Sequence, residues 1–184
     1  GTGTDGNGNT VIVAMGSGFS TLDPGHVYEK YPQLIANAAK KIFKFYENNG
    51  TPQPCLADSY EFSEDGLTYT FHINPDAKFS DGTDITAEDV EYSYEYVRDQ
   101  CDNWSWLYQT LDDVEAVDTK TVVFHFSAAD ASRISTMCYS QYGGVFSKAA
   151  MEKYGDDYGK TAESIVSSGP YVITDWKENE YVKF

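Results

Sequence analysis

A chain of 184 residues with 41% hydrophobic and 15% aromatic content carries enough apolar side chain for one domain with a core, or a main domain with a subdomain, and is too short for two large lobes. Its formal net charge of −16 sets up a field that repels phosphates, which disfavours nucleic acid and anionic lipid as partners. No apolar run approaches the ~20 residues that cross a bilayer, and the first residues lack the basic and apolar regions of a signal peptide.

Residues 1–10, GTGTDGNGNT, have the chemistry of a flexible tether. Asp5, Asn7 and Asn9 imitate the opening of a calcium loop, but the twelfth position is Gly16 and not the bidentate Glu such a loop needs. Val11–Ala14 reads as a short buried strand that opens into Gly16-Ser17-Gly18-Phe19-Ser20 and then Thr21-Leu22-Asp23-Pro24. The two glycines let the chain turn sharply there, which suits a loop lining a ligand cleft. The segment fits neither phosphate-binding pattern, GxxxxGK[ST] or GxGxxG, nor the GxSxG nucleophile turn. Leu34, Ile35, Ala38, Ile42 and Phe45 recur at helical spacing and predict one amphipathic helix over Tyr31–Tyr46, with Asn48-Asn49-Gly50 ending it and Thr51-Pro52-Gln53-Pro54 as a break.

After that break the apolar period changes to two. Tyr60 and Phe62, a turn at Glu64-Asp65-Gly66, and the alternation of Leu67, Tyr69, Phe71 and Ile73 predict a β-hairpin. Val114–Val117 and Thr121–Phe126, joined through Asp118-Thr119-Lys120, predict a second one. Between them lies a helix start: Thr86 as N-cap, Asp89 completing a capping box, and Ile85 and Val90 at the positions of a hydrophobic staple. These roles explain the carboxylates of Asp81–Asp89 without invoking a metal or an acid/base pair. Ala87, Val90, Tyr94 and Val97 form the apolar stripe, and Gly82 supplies the preceding turn. Ala131–Met137 and Lys148–Tyr154 read as short helices, Ala162–Val166 as a helical turn, Gly143-Gly144 as a turn, and Tyr171–Trp176 with Tyr181–Phe184 as two strands, the second running to the last residue and so expected to continue in a longer protein.

Signals for catalysis are weak. His26, His72 and His125 are far apart in sequence, and the last two lie opposite the aromatic face of their strands. Cys55, Cys101 and Cys138 show no zinc-ligand spacing; either Cys101 and Cys138 form a disulfide with Cys55 left over, or all three are small unpaired residues. Trp104, Trp106 and Tyr108 follow the central helix, as core plugs or as cleft-wall aromatics that stack on a ligand.

Several stretches, in this order, carry a family resemblance: TLDP at 21–24, PCLADS at 54–59, LTYTF at 67–71, DAKFSDGT at 76–83, ITAEDV at 85–90 and SGPY at 168–171. From about residue 11 the chain resembles the N-terminal part of the family 5 extracellular solute-binding proteins, the peptide- and nickel-type receptors of ABC importers. The resemblance implies an α/β, class II periplasmic-binding-protein-like fold. It divides the chain into a tether (1–10), the start of lobe I (11–50), an inserted α+β subdomain (51–167) and truncated return strands of lobe I (168–184), with the second lobe absent. It further implies a receptor with no enzymatic activity and no cofactor, extracellular and lipid-anchored or periplasmic. In the full-length protein it would take oligopeptide or dipeptide, or alternatively a nickel chelate, a sugar or another small solute, and deliver it to a membrane permease. The ligand-facing residues expected by similarity are Ser17, Phe19, Ser20, Tyr28, Trp104, Trp106, Tyr139 and Tyr142. An autonomous module binding another protein through its 15 tyrosines, or an unrecognised hydrolase, are the readings from other classes.

Overall fold

The computed structural model describes residues 2–3, 12–13, 20–23, 25–26, 43–45, 51–102, 104–139 and 144–184. Its strands are β1 (Thr2–Gly3), β2 (Ile12–Val13), β3 (Phe43–Phe45), β4 (Pro52–Pro54), β5 (Ala57–Phe62) and β6 (Thr68–Ile73), followed by the helix α1 (Ala87–Gln100). Then come β7 (Leu111–Ala116), β8 (Thr121–Phe126), the short helices α2 (Arg133–Tyr139) and α3 (Lys148–Tyr154), and the closing pair β9 (Asp175–Lys177) and β10 (Tyr181–Lys183).

Both predicted hairpins form, and they join into one antiparallel sheet in the order β5-β6-β8-β7. The period of two sends Tyr69, Phe71 and Ile73 to one face with Val122, Phe124 and Phe126, all buried, and leaves His72 exposed and His125 part-exposed on the other. There His72 lies 3.9 Å from Glu61 and His125 3.8 Å from Glu115. Helix α1 covers the apolar face. Tyr94 inserts between Phe124 and Tyr108, nearly perpendicular to both, with centroids 4.8 and 5.4 Å apart, and Phe124 also meets Phe71 edge-on at 5.3 Å. Such pairs add to what burial alone supplies.

The start of α1 is held as its sequence predicts. The Thr86 hydroxyl accepts from the Asp89 amide and the Asp89 carboxylate accepts from the Thr86 amide, a closed capping box, while Ile85 and Val90 are completely buried. Two further contacts come from the β7–β8 turn: the Ala87 amide donates to Thr119 O at 2.8 Å, and the Lys120 ammonium to Ile85 O at 2.8 Å. The preceding turn uses Gly82 at φ 86° and docks on the end of the chain, where the Ser80 amide donates to Ser167 O and the Ser167 amide to Ser80 Oγ.

Three expectations are corrected. Phe43–Phe45, placed by spacing in the helix over Tyr31–Tyr46, is a strand paired with Pro52–Pro54, so the supposed break is a strand as well. Phe43 is buried edge-on to Tyr60 at 5.0 Å and 5.8 Å from Phe71, and this packing with a two-stranded ladder that tolerates proline outweighs local periodicity. The rest of that predicted helix lies outside the described residues, as does Gly143 of the predicted Gly143-Gly144 turn. Thr2–Gly3, inside the expected tether, pairs with Ile12–Val13. The strand expected over Tyr171–Trp176 begins only at Asp175, Tyr171 and Val172 being exposed. The helical turn expected over Ala162–Val166 is present as a 3₁₀ turn at Ala162–Ser164.

Phe124→Ala removes the ring shared by sheet and helix and is expected to lower unfolding stability by about 3–5 kcal/mol, read as a fall in the urea midpoint at constant slope. A loss below ~1 kcal/mol would show that the aromatic cluster is not the core.

Candidate functional site

The Thr21–Asp23 segment owes its shape to one carboxylate. Asp23 is buried; its Oδ1 accepts from the Gly25 amide at 2.8 Å, and its Oδ2 lies 2.8 Å from His26 Nδ1 and 2.6 Å from the Tyr96 hydroxyl of α1. Tyr96 Oη and His26 Nδ1 are themselves 2.9 Å apart. An ionised carboxylate brings no proton to this triangle and the phenol brings one, so the arrangement calls for a proton on Nδ1. Asp23 accordingly raises the His26 pKa, chiefly through that hydrogen bond, with Asp102 and the Gln100 backbone adding to it against burial.

Two glycines let the loop reach its seat. A Cβ on Gly25 would fall 2.7 Å from Cys101 Sγ and 2.8 Å from the Tyr96 ring. Gly159 has φ 80°, and a Cβ there would lie 2.5 Å from the Asp23 amide nitrogen. Its carbonyl accepts from the Leu22 amide at 2.7 Å and its amide donates to Ser164 Oγ. The loop is thus clamped between α1 and the 155–164 segment.

A cavity of about 500 Å³ lies between these parts. Ser20, Thr21, Asp23 and His26 line it from the loop; Tyr92, Tyr96 and Gln100, successive i, i+4 positions, line it from α1; and Met151 through Lys160 close the third side. The Tyr92 and Tyr96 rings are parallel within 6° at 6.4 Å. Burial pushes the Tyr96 and Tyr158 hydroxyls well above the usual phenol range, with the Asp23 charge adding to it, and pushes the Cys101 thiol up to about 12. Groups that hold their protons this firmly are poor nucleophiles at neutral pH; the arrangement is suited to binding.

Of the residues expected to face ligand, Ser20 is exposed and lines this cavity. Trp104 and Trp106 lie elsewhere, at the turn after α1: Trp104 is half-buried against the core, and Trp106 is 59% exposed on the 3₁₀ turn Ser105–Tyr108. Tyr139 ends α2, its side chain outside the described part, and Ser17, Phe19, Tyr28 and Tyr142 also lie outside it. Asp23, His26, Tyr92, Tyr96 and Tyr158 were not anticipated. The i, i+3 spacing of Asp23 and His26 and the i, i+4 spacing of Tyr92 and Tyr96 were the available signals. All three cysteines are free, Cys101 and Cys138 being buried, so the unpaired alternative holds. Among the described residues no three or more His, Cys, Asp or Glu side chains gather as metal ligands, and no helix is long and apolar enough to cross a membrane.

Residues 51–184 match the model of the bacterial extracellular solute-binding proteins, family 5, and the chain belongs to that family. It is 31% identical over 175 residues to the glutathione-binding protein GsiB of Escherichia coli K12, spanning 94% of this chain and 33% of that protein. In fold it matches the substrate-binding domain of an oligopeptide ABC transporter from Bacillus anthracis at a TM-score of 0.83 and 24% identity, over 90% of this chain and 35% of that one. It also matches NikZ of Campylobacter jejuni, solved with Ni(L-His), at 0.75 and 23%, over 89% and 32%. The expected α/β, class II binding-protein fold is therefore present, and the chain spans about one third of the length of these relatives.

Gly159→Ala is expected to cost about 2 kcal/mol or more, since the left-handed backbone alone costs ~1–2 kcal/mol and the new methyl displaces Asp23. Amide spectra of Leu22 and Gly25 should shift with it; an unfolding midpoint within error of the parent would show that the loop is not clamped there. Because the folded-state pKa of His26 is raised, its contribution to stability is fully present below about pH 6.5 and is lost as pH rises through the folded value. Comparing the chain with His26→Gln should show a stability difference that shrinks over that interval; a pH-independent difference would contradict the pairing with Asp23.

Proposed function

We propose that the chain is part of the substrate-binding receptor of an ABC importer for oligopeptide or dipeptide, working outside the cytoplasmic membrane, lipid-anchored or periplasmic, and handing its ligand to a membrane permease. Membership of the solute-binding family carries this reading. The breadth of solutes named for its relatives, glutathione, peptide and Ni(L-His), favours the peptide class and leaves a nickel chelate, sugar or other small solute as the alternative. The ligand face would comprise Ser17, Phe19, Ser20 and Tyr28 of the glycine loop and its continuation, together with Trp104, Trp106, Tyr139 and Tyr142. Trp106 supports this, its side chain being 59% exposed and of the amphipathic aromatic type that stacks on ligands. No cofactor is needed, and the chain catalyses no reaction. A tyrosine-rich protein-docking module is disfavoured, because Tyr69, Tyr94, Tyr96, Tyr108 and Tyr158 are buried and withdrawn from the outer surface.

Ligand-dependent melting of the intact protein encoded by the parent reading frame tests this. Di- to pentapeptides should raise the transition, by an amount equivalent to about 2.7 kcal/mol at a hundredfold excess over Kd. A shift with nickel–histidine or an oligosaccharide and none with peptide would instead establish the alternative.

A further inference from the structure

We propose that the cavity beside the Asp23–His26–Tyr96 cluster is a binding site for a small primary ammonium compound, of alkylamine size, held by Tyr158, Gln100 and Asp156 against the Tyr92 and Tyr96 rings. The starting observation is Tyr158. The residue is 7% exposed and lines the cavity, yet its hydroxyl, the side chain's one polar atom, has no hydrogen-bond partner among the described residues. The oxygen is not among the buried polar atoms that lack a partner, so it reaches solvent at the cavity and is open to bond what enters there. The Tyr92 hydroxyl and the Gln100 carboxamide, on the helical wall, also make no hydrogen bond to another described residue.

The charges select the sign of that ligand. Two of the three formal charges on the lining already have partners: Asp23 bonds His26, and Lys160 pairs with Asp157 at 3.0 Å. The carboxylate of Asp156 lines the cavity with no ion pair among the described residues. Asp23 also adds to the elevation of both the Tyr96 and Tyr158 phenols, the direction a negative charge at the wall produces. An anion would be repelled, and the net charge of −16 concentrates cations around the molecule.

The kind of cation follows from the groups that lack partners. A phenol oxygen, a carboxamide oxygen and a carboxylate all accept hydrogen bonds, which a primary ammonium with three N–H donors can supply and a quaternary one cannot. The faces of two parallel tyrosines attract either cation. A volume of about 500 Å³ holds a short chain and its first hydration partners, at the smaller end of ligand pockets. Ser20 alone belongs both to this cavity and to the ligand face described above, and the proposal does not rest on the receptor reading.

The test is a titration of the 184-residue chain, followed by NMR at about pH 7, with n-butylammonium, tetramethylammonium and 1-butanol as probes. Saturable shifts at Gln100 and Tyr158 are expected with n-butylammonium, at roughly tenfold higher affinity than with either of the others. Tyr158→Phe and Asp156→Asn should each weaken it by about fivefold or more while the unfolding midpoint stays put, since the lost hydroxyl bonds nothing in the empty protein. Equal affinity for 1-butanol, equal affinity for tetramethylammonium, no saturable shift, or unchanged affinity in both variants would each overturn the proposal. Peptide binding is measured on the intact protein and amine binding on this chain, so either can fail without the other.

Discussion

The Asp89 carboxylate holds two helices at once, and the arrangement of the molecule follows from it. One oxygen accepts the Thr86 amide and hydroxyl and closes the cap of α1; the other accepts the Lys148 amide at 3.0 Å and so also receives the first turn of α3. One turn along α1, Ser93 repeats the linkage, accepting from the Phe146 amide at 2.8 Å and donating to Asp89 O. A buried charge is tolerable only when its lone pairs are filled, and these amides fill them. With α1 and α3 tied in this way, the segment from Met151 to Ser164 is delivered to the face of α1 that Tyr92 and Tyr96 occupy. Gly159 can then meet Asp23.

The sheet solves a separate problem. A hairpin of two strands is marginal alone, and each of the two here becomes stable by pairing β6 with β8 and sharing one helix. The β7–β8 turn does more than reverse the chain, because Thr119 and Lys120 supply an acceptor and a cation to backbone groups at the start of α1. Helix and second hairpin therefore order one another, although one precedes the other in sequence. The strongly negative chain tolerates this compact arrangement because many carboxylates bind locally: Asp65, Asp118 and Asp130 accept from their own turns, which lowers the pKa of each, and Asp84 pairs with Lys78.

The elements most legible in the sequence were those specified by local chemistry. Alternation placed both hairpins, and Thr86 with Asp89 marked the helix start to the residue, because a cap and a pleat are properties of neighbouring residues. Lys148–Tyr154 was found with its observed bounds for the same reason. What escaped was whatever required distant partners. Phe43–Phe45 carries a helix-like pattern, but its strand is decided by Tyr60, Phe71 and Pro52–Pro54. Asp89 was legible as a cap and not as the receiver of α3. Asp23 could be read as turn punctuation, whereas its function depends on Tyr96, 73 positions away, and on Gly159 beyond it. For the candidate site, therefore, the loop was visible and the cavity behind it was not.

The row of tyrosines in α1 shows how one short sequence can serve core and cavity together. Residues two apart on a helix point to nearly opposite sides, about 200° around the axis. Tyr94 is sent into the sheet against Phe124, while Tyr92 and Tyr96, with Gln100, form a column facing the loop. The helix is thus buried along two stripes, and each has its own chemistry. The sheet-facing stripe of Val90, Tyr94 and Val97 is apolar and fixes position. The loop-facing column is aromatic with polar tips, and its hydroxyls differ in use: Tyr96 is bound to Asp23, whereas Tyr92 makes no hydrogen bond to another described residue. Tyr96 belongs to the scaffold at its hydroxyl and to the cavity at its ring. A change that loosens the Asp23 cluster must therefore also move a cavity wall, so loop position and cavity shape are mechanically one variable.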